Sequence, residues 1–129
     1  MAKTHEDIHS KALLNQFDEL RSLSDGWLDG EGRAPDLAAL DFLEARLVEH
    51  LPAEIPVPAI VPTPEGNLLL EWNTSGDPSV DIRLSDFHAD FHMFLADGSD
   101  LESTFDLRSD TEWVQFLEFL RRTVRGSGA

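Results

Sequence analysis

Between Leu68 and Leu95 apolar and polar residues alternate with the two-residue period of a half-buried β-strand. Leu68, Leu70 and Trp72, then Val80, Ile82 and Leu84, then Phe87, Ala89, Phe91, Met93 and Leu95 fall on one side. Glu71, Asp81, Arg83, Asp86, His88, Asp90 and His92 fall on the other, and strict alternation adds Phe94 to them. The breaks at Thr74–Pro78 and Ser85–Asp86 divide the stretch into three strands. After the turn composition Ala96-Asp97-Gly98-Ser99, a fourth strand follows: Leu101, Ser103, Phe105 and Leu107 alternate with Glu102, Thr104 and Asp106. The pattern predicts a sheet with one greasy side and one acidic side.

The flanking segments carry the helical period. Ile8, Leu13, Phe17, Leu20 and Leu23 mark a first amphipathic helix, ending at Ser24-Asp25-Gly26. A second is expected from Pro35 to Leu51, with Pro35 in the first turn and Leu37, Leu40, Leu43, Leu47 and Leu51 as its stripe. Between them, Trp27 and Leu28 sit among Gly26, Gly30 and Gly32, which predicts a glycine-rich loop pinned to the core by its apolar residues. Leu51–Asn67 holds Pro52, Pro56, Pro58, Pro62 and Pro64, so it reads as an extended crossing with an edge strand at Ala59-Ile60-Val61. Ser109-Asp110-Thr111-Glu112 forms a capping box ahead of a last helix that buries Trp113, Phe116, Leu117, Leu120 and Val124. The predicted fold is α+β: two N-terminal helices, a four- to five-stranded antiparallel meander, and a C-terminal helix packed on one sheet face. All 129 residues fit a single domain.

Charge changes this picture most. Twenty-five acids against ten bases give a net charge of −15. Such a field repels nucleic acid and anionic lipid and attracts basic proteins or cations. Between Leu84 and Leu107 lie Asp86, Asp90, Asp97, Asp100, Glu102 and Asp106 without a lysine or arginine. Acids facing one another across strands weaken a sheet, so their presence points to a benefit such as docking a basic partner. Phe94 supplies an apolar anchor inside that charged rim. The chain has no cysteine, which excludes disulfides and thiolate metal sites and fits a reducing cytoplasm. It also has no apolar run long enough for a membrane span, and its first residues lack the apolar core of a secretory signal.

Two strings raise the alternative of a metal-dependent enzyme. His5-Glu6-Asp7-Ile8-His9 matches the H-E-x-x-H pattern, in which two histidines one helical turn apart hold zinc and the glutamate activates water. It stands near the start of the first helix, without an obvious third ligand. On the acidic strand, His88 and Asp90 stand about 6.5–7 Å apart and could share an ion, whereas His88 and His92, about 13 Å apart, could not. Nucleophile elbows and phosphate-cradling glycine motifs are missing.

The run Asp25-Gly26-Trp27-Leu28-Asp29-Gly30 with Ala34-Pro35, followed by Pro62-x-Pro64-x-Gly66-x-Leu68-x-Leu70-Glu71-Trp72, covers roughly the middle third of the chain. It resembles short bacterial proteins of unknown function that carry a GW-DG loop and a Pro/Gly-to-LEW strand. The resemblance implies a bacterial or mobile-element origin and no established catalytic residues. The leading expectation is a cytoplasmic, non-enzymatic interaction module of antitoxin, immunity or inhibitor type, or a nucleic-acid mimic, requiring no cofactor. It would bind a basic protein, and neither nucleic acid nor membrane, through Glu71, Asp81, Asp86, His88, Asp90, His92, Phe94, Glu102 and Asp106. Self-association into a homodimer through the sheet is the third reading.

Overall fold

The computed structural model describes residues 5–124, with side chains from Ile8 onward. Its elements are α1 (His5–Arg21), α2 (Leu37–His50), β1 (Ala59–Pro62), β2 (Leu68–Glu71), β3 (Ser79–Arg83), β4 (His88–Phe94), β5 (Asp100–Asp106) and α3 (Asp110–Thr123). The five strands form one antiparallel meander in the order β1-β2-β3-β4-β5. The fold is therefore the predicted α+β arrangement, with the helices gathered on one side of the sheet.

Register places Ile60, Leu70, Val80 and Phe91 in one cross-strand row, with Leu68, Ile82, Ala89 and Phe105 in the next. All are buried. From α3, Phe116 and Phe119 meet Phe105 at ring-centroid distances of 5.3 and 5.5 Å, and Phe119 meets Phe91 at 4.7 Å. Full burial of one such side chain contributes about 1.5–3 kcal/mol. From α1, Leu13, Phe17 and Leu20 enter the same cluster, as do Leu40, Leu43 and Leu47 of α2.

The expected helical stripes need trimming at their ends. Ile8 is 59% exposed; it stands five residues from Leu13, about 140° around the helix, and so faces away from the core. Leu37, in the first turn of α2, is also exposed. Asp36, not the preceding Pro35, opens α2: its carboxylate accepts from Ala39 N at 2.9 Å. An acceptor side chain is worth more at the cap than in the first turn, so proline sits one place earlier, buried outside the helix. The hairpin of α1 and α2 is fastened by Arg21, whose guanidinium reaches Glu44 at 2.7 Å and Asp41 at 2.8 Å. Those two carboxylates raise its already high pKa.

The glycine-rich loop closes on itself instead of being anchored by both apolar residues. Trp27 Nε1 donates to Arg33 O at 2.8 Å, and Leu28 and Glu31 form a small bridge. Gly32 has φ +91°, and a Cβ there would stand 3.1 Å from the indole nitrogen, so the ring covers a position only glycine fits. Leu28 points outward, 41% exposed.

The proline-rich crossing seals one sheet edge. Gln16 of α1 accepts from Ile60 N at 2.8 Å and donates to Pro58 O at 2.9 Å, in the manner of a neighbouring strand. Trp72 Nε1 donates to Pro56 O at 2.7 Å. At the other end, Ser109 Oγ accepts from Glu112 N, which is one half of the expected capping box. The other half differs: Glu112 reaches past Ser109 and accepts from Asp106 N at 2.9 Å, tying α3 to the end of β5.

Candidate functional site

The opposite face of the sheet is open. Its rows follow from the register: Ala59, Glu71, Ser79, His92 and Glu102 lie side by side, then Val61, Leu69, Asp81, Asp90 and Thr104, then Arg83, His88 and Asp106. Phe94 and Asp100 share the remaining row of β4 and β5. Eight of the nine residues expected at a partner surface, Glu71, Asp81, His88, Asp90, His92, Phe94, Glu102 and Asp106, therefore share this face.

Asp86 does not. It lies in the Leu84–Phe87 turn, where Arg83 binds both of its carboxylate oxygens at 2.9 and 2.6 Å. The Arg83 guanidinium holds Asp86 far below the usual carboxylate range and is itself made more basic. This four-residue turn also corrects the placement of Phe87, expected on β4. The ring leaves the strand at φ +57° and packs on Phe42 at 4.6 Å. The ion pair spanning three residues tightens the turn, and β4 begins one residue later than alternation implies. Leu95, assigned to the apolar side by alternation, lies beyond the last residue of β4 and is 38% exposed.

At the centre of the face Asp81 stands directly opposite Asp90. Partial burial, the charge of Asp90 and that of Glu65 push the Asp81 carboxyl above its ordinary pKa. His88 Nε2 donates to Asp90 at 3.0 Å. Near the β4–β5 hairpin, His92 lies 3.6 Å from Asp100 and edge-on to the Phe94 ring, with centroids 4.7 Å apart. Arg108 lowers the pKa of Asp106 through a 3.2 Å hydrogen bond.

Phe94 is 53% exposed, yet its backbone is fixed: its N–H donates to Gly76 O at 2.9 Å. Gly76 has φ +83°, and a Cβ there would meet Phe94 O at 2.5 Å, so glycine is what lets the β2–β3 loop lie against this strand. Between loop and strand is a shallow depression of about 410 Å³ rimmed by Glu71, Asp77, Ser79, His92 and Phe94. It joins acids to one exposed aromatic ring.

Alternation also hid something. Leu69 lies between Leu68 and Leu70, so the pleat must turn it outward, where it joins Val61 and Ala59. The open face is thus apolar toward β1 and acidic toward β5. Asp100, which meets His92, belongs to the run of acids between Leu84 and Leu107 but not to the residues expected at the partner surface.

The metal candidates separate. The side chains of His5 and Glu6 lie outside the described residues. His9 Nε2 donates to the Ile55 carbonyl at 2.8 Å, which engages that nitrogen in holding the crossing to α1. His88 and Asp90 bind one another. Among the described residues no group of three histidine, aspartate or glutamate side chains gathers around a common point suited to a metal ion. Nor is any described helix long and apolar enough to cross a membrane. Compared with protein-family models, curated proteins and solved structures, the chain gives no match.

Proposed function

We propose that the protein is a non-enzymatic binding module of the cytoplasm whose open sheet face holds a basic protein partner, as an antitoxin, immunity protein or inhibitor does. One observation carries the reading: Asp81 and Asp90 oppose each other on a face whose neighbouring rows add Glu71, Glu102 and Asp106. Opposed like charges weaken a sheet, and among the described strand residues of that face the one arginine, Arg83, is already taken by Asp86. Lysines and arginines of a partner would relieve the repulsion, so binding and stability would rise together. Val61, Leu69 and Phe94 give the same surface an apolar share, as docking surfaces require beside their charge.

Capture from native lysate with wild-type protein and with a variant carrying Asp81→Lys, Asp90→Lys and Glu102→Lys tests this reading. The wild type retains a basic protein whose affinity falls steeply with salt, and the variant, shown to be folded by circular dichroism, retains none of it. Equal capture by both proteins, or an affinity indifferent to salt, overturns the proposal.

A further inference from the structure

The two edges of the sheet differ. At β1 the outward backbone groups Ile60 N–H and Pro58 C=O are occupied by Gln16. At β5 two bonds fix which groups point outward: Leu107 N donates to Phe87 O at 3.1 Å, and Leu95 N donates to Ser99 O at 2.8 Å. With the register Met93–Leu101, Phe91–Ser103 and Ala89–Phe105, this alternation turns Leu101, Ser103 and Phe105 toward β4. The N–H and C=O of Glu102 and Thr104 then point away from the sheet, and β5 is its last strand. One place further on the edge closes, because Asp106 N donates to Glu112 and Asp106 O accepts from Ser109 N. Among the described residues nothing pairs with the Glu102–Thr104 edge.

We propose that this edge accepts an additional β-strand: an extended segment of the basic partner in which lysine or arginine alternates with apolar residues. The inference rests on the reading of the open face given above and specifies how the partner engages it. A strand added to β5 places alternate side chains beside Glu102 and Thr104 on the open face, where Glu102 and the neighbouring Asp90 favour cations. The intervening side chains fall beside Leu101 and Ser103 on the helix side, where Leu101 and Phe119 are only partly buried. Main-chain bonds supply affinity and the alternation supplies specificity. A second copy of this chain fits poorly: antiparallel pairing of β5 with itself about Ser103 sets Asp100 against Asp106 of the other copy, with the two Glu102 carboxylates as diagonal neighbours. Acids on this edge thus repel the protein's own strand while leaving the edge open to a basic one.

The test uses two blocked seven-residue peptides of identical composition, one alternating lysine with valine and one with the lysines grouped. Binding is followed by fluorescence anisotropy, with amide hydrogen exchange at Glu102 and Thr104. The alternating peptide should bind about tenfold or more tightly, the worth of one or two hydrogen bonds, and should slow exchange at both amides. N-methylation of the peptide nitrogens that face β5 should remove that advantage without touching the protein, and Thr104→Pro should do the same by deleting an outward donor. Equal binding of the two peptides, both weakened by Asp90→Lys, leaves the acidic face as the site and overturns the strand addition. Failure of both to bind overturns both readings. Concentration-dependent dimerisation lost in Thr104→Pro makes the occupant a second copy and overturns the basic segment.

Discussion

The helix-covered face of the sheet and its open face are built from alternate residues of the same strands. Leu70 is followed by Glu71, Val80 by Asp81, Phe91 by His92. On the covered face each side chain finds its complement inside the chain, in Leu13 and Phe17 of α1, Leu43 and Leu47 of α2 or Phe116 and Phe119 of α3. On the open face like meets like: Asp81 faces Asp90, and Glu65 adds to the same field. The pleat allows this separation because adjacent residues share a backbone but no environment. Stability is concentrated on one side, so the other can hold a charge pattern that opposes folding.

Substitutions should separate the faces by size of effect. Truncating the covered face is the heaviest blow: Phe91→Ala should lower unfolding free energy by about 3–5 kcal/mol in denaturant melts. An equal cost for Asp90→Ala, expected within about 0.5 kcal/mol of wild type, would erase the distinction. Gly76→Ala comes next, at about 1–3 kcal/mol for forcing a side chain into left-handed backbone, with the Phe94 amide resonance displaced because the new Cβ meets its carbonyl. Gln16→Ala leaves Ile60 N without its acceptor at the sealed edge, costing about 1–3 kcal/mol; urea unfolding measures it.

The smallest effect has the opposite sign. Asp81→Asn removes the repulsion with Asp90 and should stabilise the protein by about 0.5 kcal/mol at neutral pH. Its pH dependence follows from the raised pKa of Asp81. The folded protein holds that proton more firmly than the unfolded chain, so this contribution is complete below the ordinary carboxylate range. It is lost as pH rises through the raised value. The advantage of the asparagine variant should therefore grow from acid to neutral pH, and melting profiles across that range would show it.

Much of this was legible because period 2 and period 3.6 survive in the apolar positions. Leu68, Leu70, Val80, Ile82 and Phe91 announced the covered face, and eight of the nine surface residues followed by alternation. Alternation misplaces residues where a side chain binds the nearby chain. It counts Asp86 with the polar face, whereas the ion pair with Arg83 fixes that residue in the turn outside the strand rows. Asp36 displaces Pro35 because a carboxylate caps a helix, and Glu112 chooses Asp106 N over the nearer amide. The edge roles of Gln16 and Thr104 depend on which backbone groups point outward, and alternation alone does not reveal that phase.

On the proposed reading the open face, and not the helical layer, meets the basic partner. Amide chemical-shift mapping of the protein titrated with its captured partner tests it most directly. The largest shifts should fall at Asp81, His88, Asp90, His92 and Thr104, with α1 and α2 unmoved. Shifts confined to α1 and α2, with those strand residues unchanged, would contradict it.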